Sequence, residues 1–266
     1  MNGGDLLIIL VVVIVGIVVS GKAFIRSYYF HPSKVVSYTI KPETAVDIWI
    51  GHIHGWLCRK QKPGGEGDDE DRKLVIFCHG NAGNISHREH LVEKFHKIGC
   101  DLLLFDYSGY GMSGKKPSET QFYEDAEEVY DYVIDKLKYP PEKIIFYGES
   151  IGCPVAMKTA QRKGIDKIIL QSGPFSVFQF IRDRFAGMIA WLINFFVGED
   201  FTTFMSLEAF LGKCLIIHGE NDTLIGVNHA YKLQECNQEH TELKIVPGGH
   251  NDLVLDWGRI REFIQS

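Results

Sequence analysis

The segment Gly148-Glu149-Ser150-Ile151-Gly152 stands between a short apolar run, Lys143 to Tyr147, and a helix-like stretch that begins at Cys153. It constrains the fold more than any other feature of the chain. Small residues two places before and two places after a serine let the backbone reverse sharply between a strand and a helix, leaving the serine Oγ exposed at the tip. Such a turn needs a buried strand beneath it and a helix leaving it. A plain glycine-rich turn could hold the same residues, and order along the chain separates the two readings.

Two further apolar runs end in the same manner. Cys214 to Ile217 leads into His218-Gly219-Glu220-Asn221-Asp222, and Leu243 to Val246 leads into Pro247-Gly248-Gly249-His250. Ser150, Asp222 and His250 thus follow one another as nucleophile, acid and base, each just past the C-terminal end of an expected strand. Glu220 and Asp252 are the neighbouring carboxylates, and Asp252 reads better as the N-cap of the last helix. The residues after the run Lys167 to Leu170, Gln171-Ser172-Gly173-Pro174, offer no carboxylate.

Leu74 to Cys78 is a fourth buried-strand run, and it ends in the loop His79-Gly80-Asn81-Ala82-Gly83-Asn84 before an expected helix, Ser86 to Ile98. A tetrahedral intermediate needs donors where its oxygen turns negative. The backbone N–H groups of Asn81 and Ile151 are expected to supply them, each worth about 3 kcal/mol of transition-state stabilisation. His79 is assigned to shaping this loop.

Strands are expected near Val35 to Ile40 and over Ala45 to Cys58, followed by alternating strand and helix from Leu74 onward. The expected helices after the first are Glu119 to Leu137, Cys153 to Lys163, Val227 to Cys236 and Asp252 to Ile264. Alternation of this kind makes an α/β fold whose mostly parallel central sheet is covered by helices on both faces, with sites at the strands' carboxyl ends. Residues 27–266 suit one domain. The formal charge of -6 and the lack of a basic stripe exclude a nucleic-acid surface. Glu66 to Asp71 forms an acidic, glycine-flanked cluster that reads as a solvated loop. The six cysteines lack metal or redox spacing, and neither a metal nor an organic cofactor is expected.

Residues 174–212 interrupt the alternation and hold nine of the seventeen phenylalanines. They read as a cap or lid in which Phe175, Phe178, Trp191, Phe195 and Phe196 would line a tunnel for an acyl chain, each buried methylene contributing ~0.8 kcal/mol. An extra core helix is the other reading. Leu6 to Val19 is apolar apart from Gly16, and with an extension to Ile25 and Lys22 snorkelling it would span ~30 Å, enough for a bilayer core. A cleaved signal peptide competes with this, but Asp5 precedes the run and no Lys or Arg does. Residues 1–26 are therefore expected to be a single-pass transmembrane signal-anchor with flanks. Lys22, Arg26 and Lys34 behind it place the catalytic domain in the cytosol.

The segments His79 to Asn84, Asp106-Tyr-Ser-Gly-Tyr-Gly111 with Lys116-Pro-Ser-Glu119, Gly148 to Gly152, His218 to Asp222 and Gly249-His-Asn-Asp252 together resemble one family. It is the membrane-associated α/β-hydrolase-domain family related to the fission-yeast bud-emergence homologue, which includes acyl-protein thioesterases that remove palmitate. The likeness runs from about Val35 to the C-terminus. The Asp106 to Gly111 form is similar to the depalmitoylating branch, and the His79 to Asn84 form to a sister branch with a transmembrane anchor. The N-terminal cysteine cluster of the depalmitoylating branch has no counterpart, since no cysteine precedes Cys58. The resemblance implies an α/β-hydrolase fold and a membrane-anchored serine hydrolase cleaving long-chain esters or thioesters on an acylated protein or lipid. A small-ester hydrolase or serine peptidase would use the same machinery, and a non-catalytic binding scaffold would keep the fold without the reaction.

Overall fold

The computed structural model describes residues 30–36, 45–60, 72–185 and 201–266, together with the isolated positions 16, 20, 187, 188, 190, 191 and 195. The apolar runs become strands β1 (His31–Pro32), β2 (Ala45–Ile50), β3 (Ile53–Cys58), β4 (Lys73–Cys78), β5 (Ala82–Gly83), β6 (Cys100–Phe105), β7 (Ile144–Glu149), β8 (Lys167–Gln171), β9 (Lys213–Gly219) and β10 (Thr241–Val246). Among the described residues, eight of these form one sheet in the order β10-β9-β8-β7-β4-β6-β3-β2. From β10 to β6 every pairing is parallel, whereas β3 runs antiparallel to both β6 and β2. This is a mostly parallel sheet with an antiparallel hairpin at one edge.

Burial on both faces explains why its strands read as unbroken apolar runs rather than as an alternation. Leu74, Ile76 and Cys78 of β4 join the core on one side, with α2 (Glu119–Asp135) and α3 (Gly152–Lys163). Val75 and Phe77 face the other side, against α1 (His90–Lys97) and α7 (Trp257–Gln265). The remaining helices are α4 (Val177–Arg184), α5 (Thr203–Glu208) and α6 (Asn228–Cys236) among the described residues.

Several local expectations are corrected. The single strand expected over Ala45 to Cys58 is a hairpin, because Gly51 takes a φ of 56° and turns the chain so that Ile50 pairs with Ile53. Val35 and Val36 lie outside any strand, and residues 37–40 are outside the described residues. The helix expected from Ser86 splits into a 3-10 turn, Ile85–Arg88, and α1. Asn84 caps that turn by accepting the Ser86 N–H and donating its own to His87 Nδ1. Asp252 does not cap the last helix: α7 starts five residues later, on Asp256, and Asp252 instead accepts the Gly249 N–H at 2.7 Å.

The single-pass membrane arrangement is also corrected. Among the described residues no helix is long and apolar enough to cross a membrane. The run expected to do so, Leu6 to Val19 or on to Ile25, lies outside the described residues except at Gly16 and Ser20. The acidic cluster Glu66 to Asp71 lies outside them as well.

Candidate active site

Ser150 sits between β7 and α3 with a φ of 54°, in the left-handed region that only glycine adopts without cost. A non-glycine residue held there stores on the order of 1–3 kcal/mol. The turn closes so tightly that a Cβ on Gly152 would stand 2.0 Å from the Cys78 carbonyl oxygen, and one on Gly148 would stand 2.6 Å from Cys153 Cα. Both obstacles are backbone, which cannot swing aside as a side chain can. Gly152→Ala is therefore expected to cost on the order of 4 kcal/mol of stability, seen as a lower thermal midpoint and poor soluble yield. An unchanged midpoint would mean that α3 can retreat from β4.

The structure brings the three residues read from the sequence together. His250 Nε2 lies 3.0 Å from Ser150 Oγ, and His250 Nδ1 lies 2.7 Å from Asp222 Oδ2. An ionised carboxylate only accepts, so Nδ1 carries the proton and Nε2 is left to accept from the serine. Asp222 reaches this position because the Leu224 and Ile225 N–H groups donate to its Oδ1, at 2.9 and 2.8 Å. Burial opposes its ionisation, but the hydrogen bonds from His218, His250 and Ile225 outweigh burial and hold the carboxyl well below the usual range. His218 is a participant that sequence reading quoted only as part of a motif. It is fully buried, donates to the Ile225 carbonyl at 2.7 Å and lies 3.4 Å from Asp222 Oδ2.

Asn81 and Ile151, the expected oxyanion donors, border one cleft with Ser150 and His250. Two groups that the sequence did not single out fix the Asn81 loop. Tyr110, fully buried, donates its hydroxyl to the Asn81 carbonyl and side-chain oxygens at 2.9 and 2.8 Å. Arg88 donates to the Ala82 and Asn84 carbonyls, and its other terminal nitrogen reaches Glu149, next to the nucleophile, at 2.9 Å. No local sequence signal marks Arg88, because its burial and its Glu149 partner arise only from the fold. His79 is fully buried, with Nδ1 at 2.7 Å from the Gly80 carbonyl. Burial, aided by the Arg88 charge, lowers its pKa to about 3.

The cleft measures about 430 Å³, and Pro174, Val177, Phe180, Leu224 and Ile225 form its apolar wall. Four of the five aromatic residues expected there have other surroundings. Phe175 stacks on Phe204 at 4.4 Å, and the Phe178 ring faces Arg182. Trp191 and Phe195 stack on each other at 5.9 Å and remain 59% and 46% exposed, and Phe196 lies outside the described residues. In α4, Val177 and Phe180 share the face turned to the cleft, three residues apart, which carries Phe178 away from it.

Comparison with known proteins agrees with this geometry. Residues 73–208 match the alpha/beta hydrolase fold family. The chain is 32% identical over 199 residues to the alpha/beta hydrolase domain-containing protein aho-3 of Caenorhabditis elegans, which covers 71% of this chain and 57% of that protein. It is 31% identical over 186 residues to the alpha/beta hydrolase domain-containing protein 17C of Xenopus tropicalis, covering 69% and 58%. The match thus spans less than two thirds of the length of these two relatives. Among solved structures, an esterase from Pyrococcus furiosus superposes with a TM-score of 0.67 at 22% identity, covering 89% of this chain and 97% of the esterase. Est1E from Butyrivibrio proteoclasticus, solved with ferulic acid bound, gives 0.62 at 20% identity, covering 83% and 96%. Likenesses this distant speak for the fold, and the family match together with the relatives decides the affiliation: the chain belongs to the alpha/beta hydrolase family.

Proposed function

We propose that this protein hydrolyses acyl esters or thioesters through an acyl-enzyme formed on Ser150. The observation that carries this reading is the hydrogen-bonded series Ser150 Oγ, His250 Nε2, His250 Nδ1 and Asp222 Oδ2, opening into an apolar-walled cleft. His250 takes the Ser150 proton as Oγ attacks the acyl carbon. The carbonyl electrons move onto the oxygen, where the Asn81 and Ile151 N–H groups receive the charge. His250 then gives its proton to the departing oxygen or sulfur as that bond breaks. A water repeats the path, freeing the acid and restoring the serine, while Asp222 stabilises the imidazolium throughout.

A long-chain acyl group is the favoured substrate half, since the cleft wall is aliphatic and aromatic. Residues 174–212 act as a cap in this reading, with Val177 and Phe180 as its contribution to the wall. The Asp106 to Gly111 motif, similar in form to that of the depalmitoylating branch, favours an acyl-protein thioester.

The deciding experiment measures hydrolysis of a chain-length series, acetyl to palmitoyl, as matched oxygen esters and thioesters. Rates that rise with chain length and favour thioesters support the reading. Activity on short esters alone would indicate a small-ester hydrolase. Absence of activity, with no labelling of Ser150 by a fluorophosphonate, would return the fold to a binding role.

A further inference from the structure

A second cavity, about 290 Å³, adjoins the cleft, and the two share Arg88, Glu149, His250 and Asn251 as their common border. The second is lined in addition by His87, His90 and Gln171. These polar groups stand beside apolar Phe77, Leu91, Leu253 and Leu255, so the wall is mixed where that of the cleft is apolar. Hydrogen-bond accounting shows what it presents. His87 Nδ1 accepts the Asn84 N–H at 3.1 Å, so the His87 proton sits on Nε2, and that nitrogen is a donor. The Gln171 side-chain oxygen accepts the Tyr147 hydroxyl, which leaves the amide NH2 as the group it can offer. Glu149, the carboxylate on the border among the described residues, is already engaged by Arg88. His87 and His90 are both exposed. The cavity therefore offers the His87 Nε2–H and the Gln171 amide as donors, beside a carboxylate whose Oε1 is paired with the Arg88 guanidinium.

The chemistry at His250 says which half of a substrate comes here. The imidazolium must hand its proton to the departing atom, so that atom leaves within hydrogen-bond reach of His250 Nε2. The acyl half occupies the apolar cleft beside Pro174, Val177 and Phe180, and the space past His250 is left for the other half. Resting on the acyl-transfer reading above, we infer that the second cavity receives the leaving group and selects one that carries a carboxylate or phosphate oxygen near the scissile sulfur or oxygen. His87, His90 and Gln171 are the specificity-determining residues.

The test holds the acyl half constant. Octanoyl thioesters of 2-mercaptoethanol, 3-mercaptopropionate and 2-mercaptoethyl phosphate are compared by kcat/KM, which reports acylation, the half-reaction in which the leaving group is still present. The expected result is a preference of about tenfold for the anionic thiols over the neutral one, as befits hydrogen bonds to a charged acceptor. The carboxylate and phosphate arms distinguish which anion fits. The variant combining His87→Asn, which keeps an acceptor for the Asn84 N–H, with His90→Ala should bring the anionic-to-neutral ratio close to one. Equal rates on all three thioesters, or a ratio untouched by the variant, would overturn this inference and leave acyl transfer standing. Failure of the wild-type chain on all three thioesters, with no turnover of the matched octanoyl oxygen esters and no fluorophosphonate labelling of Ser150, would overturn both.

Discussion

Ser150→Ala is expected to lower kcat on the best ester by a factor on the order of 10⁶, with KM little changed. Ser150 Oγ is the atom that His250 is placed to deprotonate, and the substitution leaves the cleft and the Asn81 and Ile151 amides proposed to hold the substrate in place. A residual rate about 10³-fold above that in water is expected from those groups. Fluorophosphonate labelling should vanish altogether. Fold stability provides an internal check, because position 150 holds a left-handed φ of 54° whichever side chain it carries. Alanine keeps that strain, so its thermal midpoint should match the parent's. Ser150→Gly should relieve it and gain about 1 kcal/mol while being just as inactive. A variant that stays active, or a glycine form no more stable than the alanine form, would contradict the strained-turn account.

How much of this was legible beforehand depended on whether the sequence signal was local. Strands β4, β7, β8 and β9 were readable because both of their faces are covered, as Val75 and Phe77 on one side of β4 and Leu74 and Ile76 on the other illustrate, and the edge strand β10 because Leu243, Ile245 and Val246 pack on the core. Ser150, Asp222 and His250 were readable because each follows such a strand directly. What the sequence did not disclose depends on contacts between distant segments. The β1 and β5 pairing joins His31 to Ala82. Arg88 meets Glu149 across 61 positions, and Tyr110 meets Asn81 across 29. The aromatic residues between 174 and 212 can be counted in the sequence but not aimed, since a phenylalanine count cannot tell the face of α4 that turns to the cleft from the face that turns away. Asp252 failed for a related reason. Its reach back to the Gly249 N–H competes with helix capping, and in sequence the two look alike.

Asp222→Asn is expected to cost about 10⁴-fold in kcat, about a hundredfold less than loss of the nucleophile. The carboxylate can only accept, which forces the His250 proton onto Nδ1 and frees Nε2 for Ser150. An asparagine can keep its oxygen on the Leu224 and Ile225 N–H groups and turn its NH2 toward His250. Nδ1 would then accept, the proton would move to Nε2, and the imidazole could no longer take the serine proton. The same substitution removes a titrating group whose folded-state pKa is depressed. Such a group binds fewer protons folded than unfolded, so its contribution to stability is present above its unfolded pKa of about 3.9 and is lost as pH falls toward the depressed folded value. The stability gap between the parent and the asparagine form should therefore be widest near neutrality and narrow below pH ~4. Urea unfolding of both proteins across that range reads the gap, and a steady-state assay at neutral pH reads the rate. A loss of only tenfold would move the acid to Glu220, two residues away. A gap that widened on acidification would mean that Asp222 is protonated in the native state, and the assignment of His250 as the base would then fall with it.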